Sequence, residues 1–548
     1  MAIGSSTALR DKNLQRLPTE TWDAVVVGGG INGAVTASVL AASGAKVAVV
    51  DRGDFASLTS QESSNLVWGG IKYLENFEFG LVWKLCRSRN RLLRSYPHNV
   101  REIRFYAALE DRPRGFLRTR PMLYAGAWLY WLMGGCATRR PRWLTQQGID
   151  AEEPCVDASM VKGGIEYSDA YLPDNDARFV FTFIRTALNH GAAAVNYVEV
   201  DSCRRGDDGG WVIEATDRVT ERPVSLRAGV LVNAAGPYVD ALNAHSGVAT
   251  SARHVFSKGI HLVVERLTDH EHVLTFFDDT DRMFFVIPMG NRSVVGTTDT
   301  RVDRPDATIT DEDRELVLHN INRRLTRRPL KLDDIIGERC GVRPLVVDAD
   351  SDGGDEQWLN LSRKHVIDVD HNARCVSIYG GKLTDCLNVG EEVADAVAAL
   401  GVQLRDPGDS WFGEPPRRLQ RQFEAEARRL RLDELPTEPG REPLSRRLWR
   451  RYGTDAFAML PEIGRNPDLA RPVSDGTEYR VCELEYAARS EMVVTLEDFL
   501  RRRSKIGLAV RSEQLTSAAG LREGCRLLFG DDGPARFDEY LAMVSGGP

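Results

Sequence analysis

The sequence predicts an α/β protein: a Rossmann-like dinucleotide-binding domain, a mixed-sheet substrate or cap domain, and a C-terminal helical domain. Three observations carry this. Asp23–Val27 (DAVVV) is a short apolar run, read as a buried parallel strand, and Gly28-Gly29-Gly30-Ile31-Asn32-Gly33 follows it. Ala34–Ser43 is rich in small helix formers, Gly44 breaks it, and Lys46–Val50 gives a second strand ending at Asp51. Beyond about residue 405, Pro- and Arg-rich connectors join amphipathic stretches such as Tyr486–Arg503.

The glycines Gly28, Gly30 and Gly33 fit G-x-G-x-x-G between a strand and a helix. The first makes a tight turn, the second admits a pyrophosphate to the backbone, and the third lets helix and strand pack closely. The helix N-terminus, including Asn32, then faces the phosphates. Asp51, with Arg52 beside it, ends the next strand and suits ribose hydroxyls. This fingerprint alone does not separate NAD from FAD. The segment Thr59-Ser60-Gln61-Glu62-Ser63-Ser64-Asn65-Leu66-Val67-Trp68-Gly69-Gly70 does, because NAD domains lack such a hydroxyl- and glycine-rich loop. Its hydroxyls and amides suit pyrophosphate and ribityl contacts, and Asn233–Pro237, with Gly236, lets a flat ring lie close to backbone.

Further elements follow from pattern. Phe77–Tyr96 and Val180–Ala187 read as helices, and Val195–Val200, Trp211–Thr216, Gly229–Asn233 and Val376–Tyr379 as strands. Phe284–Pro288 and Ser293–Gly296 read as a hairpin about Gly290-Asn291. Asn388–Leu400 is a helix. The domains are accordingly expected at 22–90, 165–250 and 340–405 (the discontinuous FAD-binding domain), 91–164 and 251–339 (substrate or cap domain) and 410–548 (helical), after a tail over 1–21. A chain of 548 residues needs several cores, since one core seldom exceeds about 250–300 residues.

Composition bounds the partners. The net charge is −8 with no basic block, which argues against nucleic acid. Nine cysteines without a C-x-x-C pair argue against a disulfide scaffold or structural zinc, and fit a cytoplasmic setting. No metal is expected: Asp348–Gly353 imitates a calcium loop, but Leu359 stands where the bidentate glutamate belongs. Met1–Thr21 has no apolar signal core. Pro121–Thr138 has 18 uncharged residues, but its proline and glycines suit a buried or interfacial helix better than a membrane span.

Six segments, VVVGGGINGA, SSNLVWGGIKYLE, GIHLVV, FFVIPM with VVGTTD, CGVRPL and YGGKLT, occur in one order from Trp22 to about Leu400. Together they resemble the FAD-dependent glycerol-3-phosphate dehydrogenase and oxidase family, within the D-amino-acid-oxidase-like superfamily. The resemblance implies FAD, and oxidation of sn-glycerol 3-phosphate to dihydroxyacetone phosphate by hydride transfer from carbon 2. It implies electrons passed to a quinone by a peripheral protein on the inner face of the cell membrane, and a possible homodimer. It makes Lys72, Tyr73, His261, Arg343, Arg363 and Lys382 substrate residues, with His261, Arg343 and Lys382 catalytic. Val200, Gly381, Leu383 and Thr384 join the cofactor residues.

Bottom-up chemistry agrees with those roles. A guanidinium binds phosphate oxygens in pairs, His261 suits a base near neutrality, and Arg343 or Lys382 suits a forming alkoxide. The turn before the helix at Gly381–Thr384 directs amides toward negative charge on the cofactor. Two positions depart from the commoner form His-Gly-Gly-x-Arg-Tyr-Leu. Trp68 replaces the histidine and transfers no proton, and Lys72 replaces the arginine, keeping charge without the fork. The rival readings are an oxidase using oxygen and an amine or amino-acid oxidase binding a carboxylate through Arg343.

Overall fold

Ala24 to Val27 are all buried, and their strand, Thr21–Val27, lies at the centre of a sheet. A computed structural model describes residues 7–110, 119–278, 282–326, 328–350, 364–435, 442–473, 477–517 and 519–545. The first sheet runs Val366–Asp370, Cys375–Tyr379, Arg222–Asn233, Thr21–Val27, Val47–Val50, Ala193–Val195, with Val198–Arg205 and Trp211–Asp217 attached. Its central pairs are parallel, as the uninterrupted apolar runs require. The helix Ile31–Ala42 packs over it against Asp176–Asn189 and Cys386–Ala399.

A second, ten-stranded mixed sheet carries Ala252–Glu265, Arg292–Gly296, Met283–Met289, Arg101–Glu110, Val161–Tyr171 and Gly337–Asp348. The hairpin about Gly290 forms in the expected register, Val286 opposite Val295. Helices from Arg417–Arg429 to Gly533–Ser545 build the C-terminal region around Leu448 and Trp449 on one side and Leu484 and Leu500 on the other.

Several expectations need correction. The stretch read as a tail contains the helix Ala8–Arg16, which docks on the first sheet through buried Arg10, 2.5 Å from Asp217. Arg16 adds hydrogen bonds to the Ala192 carbonyl at 3.3 Å and the Gly191 carbonyl at 3.1 Å, and Leu9 and Leu14 pack against the cores beside the sheet. The boundaries expected at 165 and 340 cut through Val161–Tyr171 and Gly337–Asp348, both strands of the second sheet. Both strands pair along the second sheet, and periodicity does not say which sheet a strand joins. The run Val195–Val200 breaks at Tyr197, which has φ +56°. Tyr486–Arg503 is not one helix: Val481–Ser490 ends, Met492 turns with φ +51°, and Asp498–Arg503 forms a separate wide turn. Arg120–Met133 is a helix of 14 residues, and among the described residues no helix is long and apolar enough to cross a membrane.

Candidate active site

The glycines of the first turn are required by close approach. Gly28 has φ +104°, and a Cβ there would stand 2.4 Å from the Ala234 carbonyl oxygen. A Cβ on Gly33 would stand 1.8 Å from the Gly28 carbonyl oxygen. A Cβ on Gly30 would approach Ser60 Oγ at 3.2 Å, narrowing the mouth of the cradle. Ser60 Oγ already accepts the Ile31 amide at 3.0 Å. Asn32 donates to the Gly380 carbonyl at 2.9 Å, while its buried Oδ1 has no protein partner and is an acceptor left for a ligand.

Asp51 closes the far end. Its carboxylate accepts the amides of Gly29 at 2.7 Å and Gly53 at 2.9 Å. Burial outweighs those amides and pushes its pKa up to about 6. The strand holding Val200 begins at Val198, whose amide donates to the Asp51 carbonyl at 2.7 Å. Arg52 lies over the Tyr238 ring at 3.8 Å, just past Gly236 with φ +57°. A glycine cradle that side chains would close, a helix N-terminus, an orphan acceptor and a ribose-facing carboxylate together fit an adenine dinucleotide.

The loop from Thr59 to Gly70 walls the other side. Thr59 Oγ1 donates to the Val342 carbonyl at 2.8 Å, tying the loop to the strand that bears Arg343. Ser63 and Asn65 direct their side chains into the protein: Ser63 Oγ to Asp176 at 2.7 Å, and Asn65 Nδ2 to the Asp174 carbonyl at 2.5 Å. They hold the loop's shape. Ser64 is half-buried in the same loop. The Gly69 amide donates to Asp169 at 3.0 Å, and Gly70 turns with φ +81°.

Arg343 belongs to Gly337–Asp348, paired with Ser257 across the sheet. Its Nη2 donates to Thr297 Oγ1 at 2.9 Å and its Nη1 to the Thr298 carbonyl at 3.3 Å. Asp299 stands 3.4 Å away. His261 is buried opposite Gly296 and Arg339 in the same sheet, and neither ring nitrogen has a hydrogen-bond partner. Burial first, then the nearby Arg343 and Arg339 guanidinium groups, hold its pKa at about 3, so the imidazole is neutral.

A second group lies around the turn after Cys375–Tyr379. Lys382 Nζ donates to Tyr73 OH at 2.6 Å and sits 4.1 Å over that ring. Tyr73 packs beside Trp68, with ring centroids 6.0 Å apart, and Thr384 Oγ1 donates to the Trp68 carbonyl at 3.1 Å. Leu383 is half-buried next to it. Gly381, with φ +100°, lies against Asn32, and Gly380 lies near the Pro344 carbonyl. The turn, the strand of Arg343, the loop and the fingerprint helix therefore converge. Lys72 is exposed at the rim. Arg363 lies outside the described residues.

Sequence reasoning missed Arg339 and Glu62. Arg339 is buried on the same face of its strand as Arg343, a two-residue periodicity that was there to be read. Glu62 is half-buried and held by Arg501 from the C-terminal region at 2.8 Å. Desolvation raises its pKa above the usual carboxylate value.

Comparison with known proteins agrees with this architecture. The FAD dependent oxidoreductase family matches residues 23–396, and the C-terminal domain of alpha-glycerophosphate oxidase matches residues 408–521. The aerobic glycerol-3-phosphate dehydrogenase of Escherichia coli (strain K12) is 32% identical over 506 residues, 90% of this chain and 96% of that protein. The D-erythritol 1-phosphate dehydrogenase of Brucella abortus (strain 2308) is 30% identical over 500 residues, covering 89% and 94%. The glycerol-3-phosphate dehydrogenase of Bacillus halodurans, solved with FAD, shares the fold: TM-score 0.73 at 24% identity over 98% of this chain and 97% of that one. With its fingerprint, sheets and helical C-terminal region all accounted for, the chain belongs to the FAD-dependent oxidoreductases, within the glycerol-3-phosphate dehydrogenase family, and its cofactor is FAD.

Proposed function

We propose that the protein oxidises sn-glycerol 3-phosphate to dihydroxyacetone phosphate and passes the electrons to a quinone, working peripherally at the inner face of the cell membrane. The observation that carries the substrate reading is Arg343, fixed by Thr297 and Thr298 beside a buried, neutral, unpartnered His261. A phosphate monoester is nearly a dianion, and a fixed guanidinium is its best-matched partner.

The residues divide the work as follows. Arg343 anchors the phosphate and so points the carbon-2 hydrogen in one direction. FAD, when bound, supplies the two-electron acceptor for that hydrogen. His261 accepts the hydroxyl proton: burial first, and then two guanidinium groups, depress its pKa, and the arriving dianion offsets the guanidinium share, making it a better base when substrate is present. Lys382, steadied by Tyr73, stabilises the oxygen as it loses its proton. Trp68 takes no part in proton transfer.

Support for a membrane position comes from the surface. Phe77, Phe79 and Trp83 are exposed at the start of Phe79–Ser95, Leu129 and Leu132 on Arg120–Met133, and Arg139 and Arg140 are exposed close by. Apolar groups flanked by arginines suit an anionic lipid surface.

The test is anaerobic addition of sn-glycerol 3-phosphate to the purified yellow protein, with D-erythritol 1-phosphate and glycine as comparisons. Bleaching by the glycerol phosphate supports the reading. Bleaching by glycine alone sinks it in favour of an amine oxidase. Reoxidation by a soluble quinone analogue without peroxide supports the acceptor, and stoichiometric peroxide in air points to an oxidase.

A further inference from the structure

Three consecutive arginines, Arg501, Arg502 and Arg503, reach from the C-terminal region into the loop that forms the cofactor cradle. They lie on the wide turn Asp498–Arg503, whose π-helical pitch narrows the fan of successive side chains. Arg503 meets buried Asp54 through two parallel hydrogen bonds, both 2.8 Å. Asp54 also accepts Asn196 Nδ2 at 2.8 Å and lies three residues beyond Asp51, at the ribose end of the cradle.

Arg501 goes elsewhere. Its Nη2 donates to both Glu62 oxygens at 2.8 Å and to the Glu338 carbonyl at 3.2 Å. Glu62 Oε2 also accepts the Cys340 amide at 3.2 Å. A Cβ on Gly341 would stand 3.0 Å from Glu62 Cβ, so a side chain there would press on the joint. Arg339 then donates to Asn65 Oδ1 at 2.8 Å and to the Ser63 carbonyl. Glu62 is thus the joint between the loop and the strand that bears Arg343. Arg502 spans both ends, contacting Asp54 at 2.7 Å and Gln61 Oε1 at 3.2 Å.

The structure assigns to this arginine run two separate positioning clamps: Arg503 with Asp54 sets the ribose end of the FAD cradle, and Arg501 with Glu62 sets the strand that offers Arg343 to the substrate phosphate. The second half rests on the phosphate reading above, and the first does not. The Asp54–Arg503 pair is buried and the Glu62–Arg501 pair partly so, and charged hydrogen bonds tie each carboxylate to one geometry. At Arg503 lysine keeps the charge but loses the fork, and at Arg501, where Nη2 alone makes the contacts, the shorter lysine keeps the charge but moves it from that place, which makes Arg→Lys a test of positioning.

The experiment uses the full-length holoenzyme with Arg501→Lys, Glu62→Gln, Arg503→Lys and Asp54→Asn. FAD affinity is read from flavin fluorescence on dilution, and inorganic phosphate affinity from calorimetry on the same samples. Arg501→Lys and Glu62→Gln are expected to weaken phosphate binding roughly 10- to 100-fold and to leave FAD affinity within about twofold. Arg503→Lys and Asp54→Asn are expected to do the reverse. Combining Arg501→Lys with Glu62→Gln should add little to either alone, since both open one joint.

Equal loss of both affinities in all four variants overturns the division, as does a lowered melting temperature with neither affinity changed. If one variant fails to fold, the variant of its partner carries the same comparison. If the wild-type protein binds no phosphate, the substrate reading fails, and FAD affinity alone decides: equal losses in Arg501→Lys and Arg503→Lys still overturn the assignment.

Discussion

Arg343 lies across Gly259, with its guanidinium carbon 2.5 Å from where a Cβ on that glycine would stand. The two are diagonal neighbours across antiparallel strands, Ser257 being the direct partner of Arg343. A methyl group here meets the far end of a flexible side chain, so the fold tolerates it while the guanidinium moves. We predict that Gly259→Ala raises the KM for sn-glycerol 3-phosphate roughly 10- to 100-fold, with the melting temperature nearly unchanged. An unaltered KM would mean that this arginine's place is not what binds substrate.

Removing the guanidinium tests the same contact from the other side. Arg343→Ala should lose about 2–4 kcal/mol of transition-state stabilisation, roughly 30- to 1000-fold in kcat/KM. The comparison that gives this meaning is glycerol without its phosphate. Its slow oxidation should fall far less, because it never used the charge. An equal loss on both substrates would assign Arg343 to the reacting carbon instead.

How much of this was written locally explains how much was legible. The fingerprint could be read because its glycines stand at a fixed spacing between one strand and the next helix, and the buried strands because parallel sheets leave unbroken apolar runs. Arg343, His261 and Lys382 were singled out through motifs, and two of them lie in one sheet and the third on a turn that meets it. What escaped reading depends on distant partners. Arg10 helps dock Ala8–Arg16 through Asp217, 207 positions on. Glu62 gains its role from Arg501, 439 positions away. Neither pairing leaves a periodicity. The break between Val481–Ser490 and Asp498–Arg503 was hidden for another reason: the arginines that look like an amphipathic face turn inward to buried carboxylates.

Asp51 makes cofactor affinity depend on pH. In the free protein its proton leaves at about pH 6. Ribose hydroxyls donate to the ionised carboxylate, so the bound form holds that proton less tightly and binding releases it. FAD affinity should therefore rise with pH up to about 6 and level off above, by at most about tenfold per unit. Apoprotein stability moves the other way. The folded chain holds this proton more tightly than the unfolded one, so that contribution is present at low pH and is lost as pH rises through about 6. Fluorescence titration of apoprotein with FAD from about pH 5 to about pH 8, on either side of the Asp51 value of about 6, checks the first, and Asp51→Asn should flatten the curve.

His261 presents the sharpest test of the chemistry. At about 3, its pKa makes the free imidazole too weak a base to matter, and both its nitrogens lack partners. The proposal requires the substrate dianion to raise its basicity by offsetting Arg343 and Arg339, the part of the depression that does not come from burial. His261→Asn keeps a polar side chain but cannot take the proton, so flavin reduction at saturating substrate should slow roughly 10²- to 10⁴-fold with KM changed little. Stopped-flow bleaching under anaerobic conditions measures that rate directly. If the variant reduces its flavin within a few-fold of wild type, the hydroxyl proton leaves by another route, and the buried imidazole serves only to keep the two guanidinium groups apart.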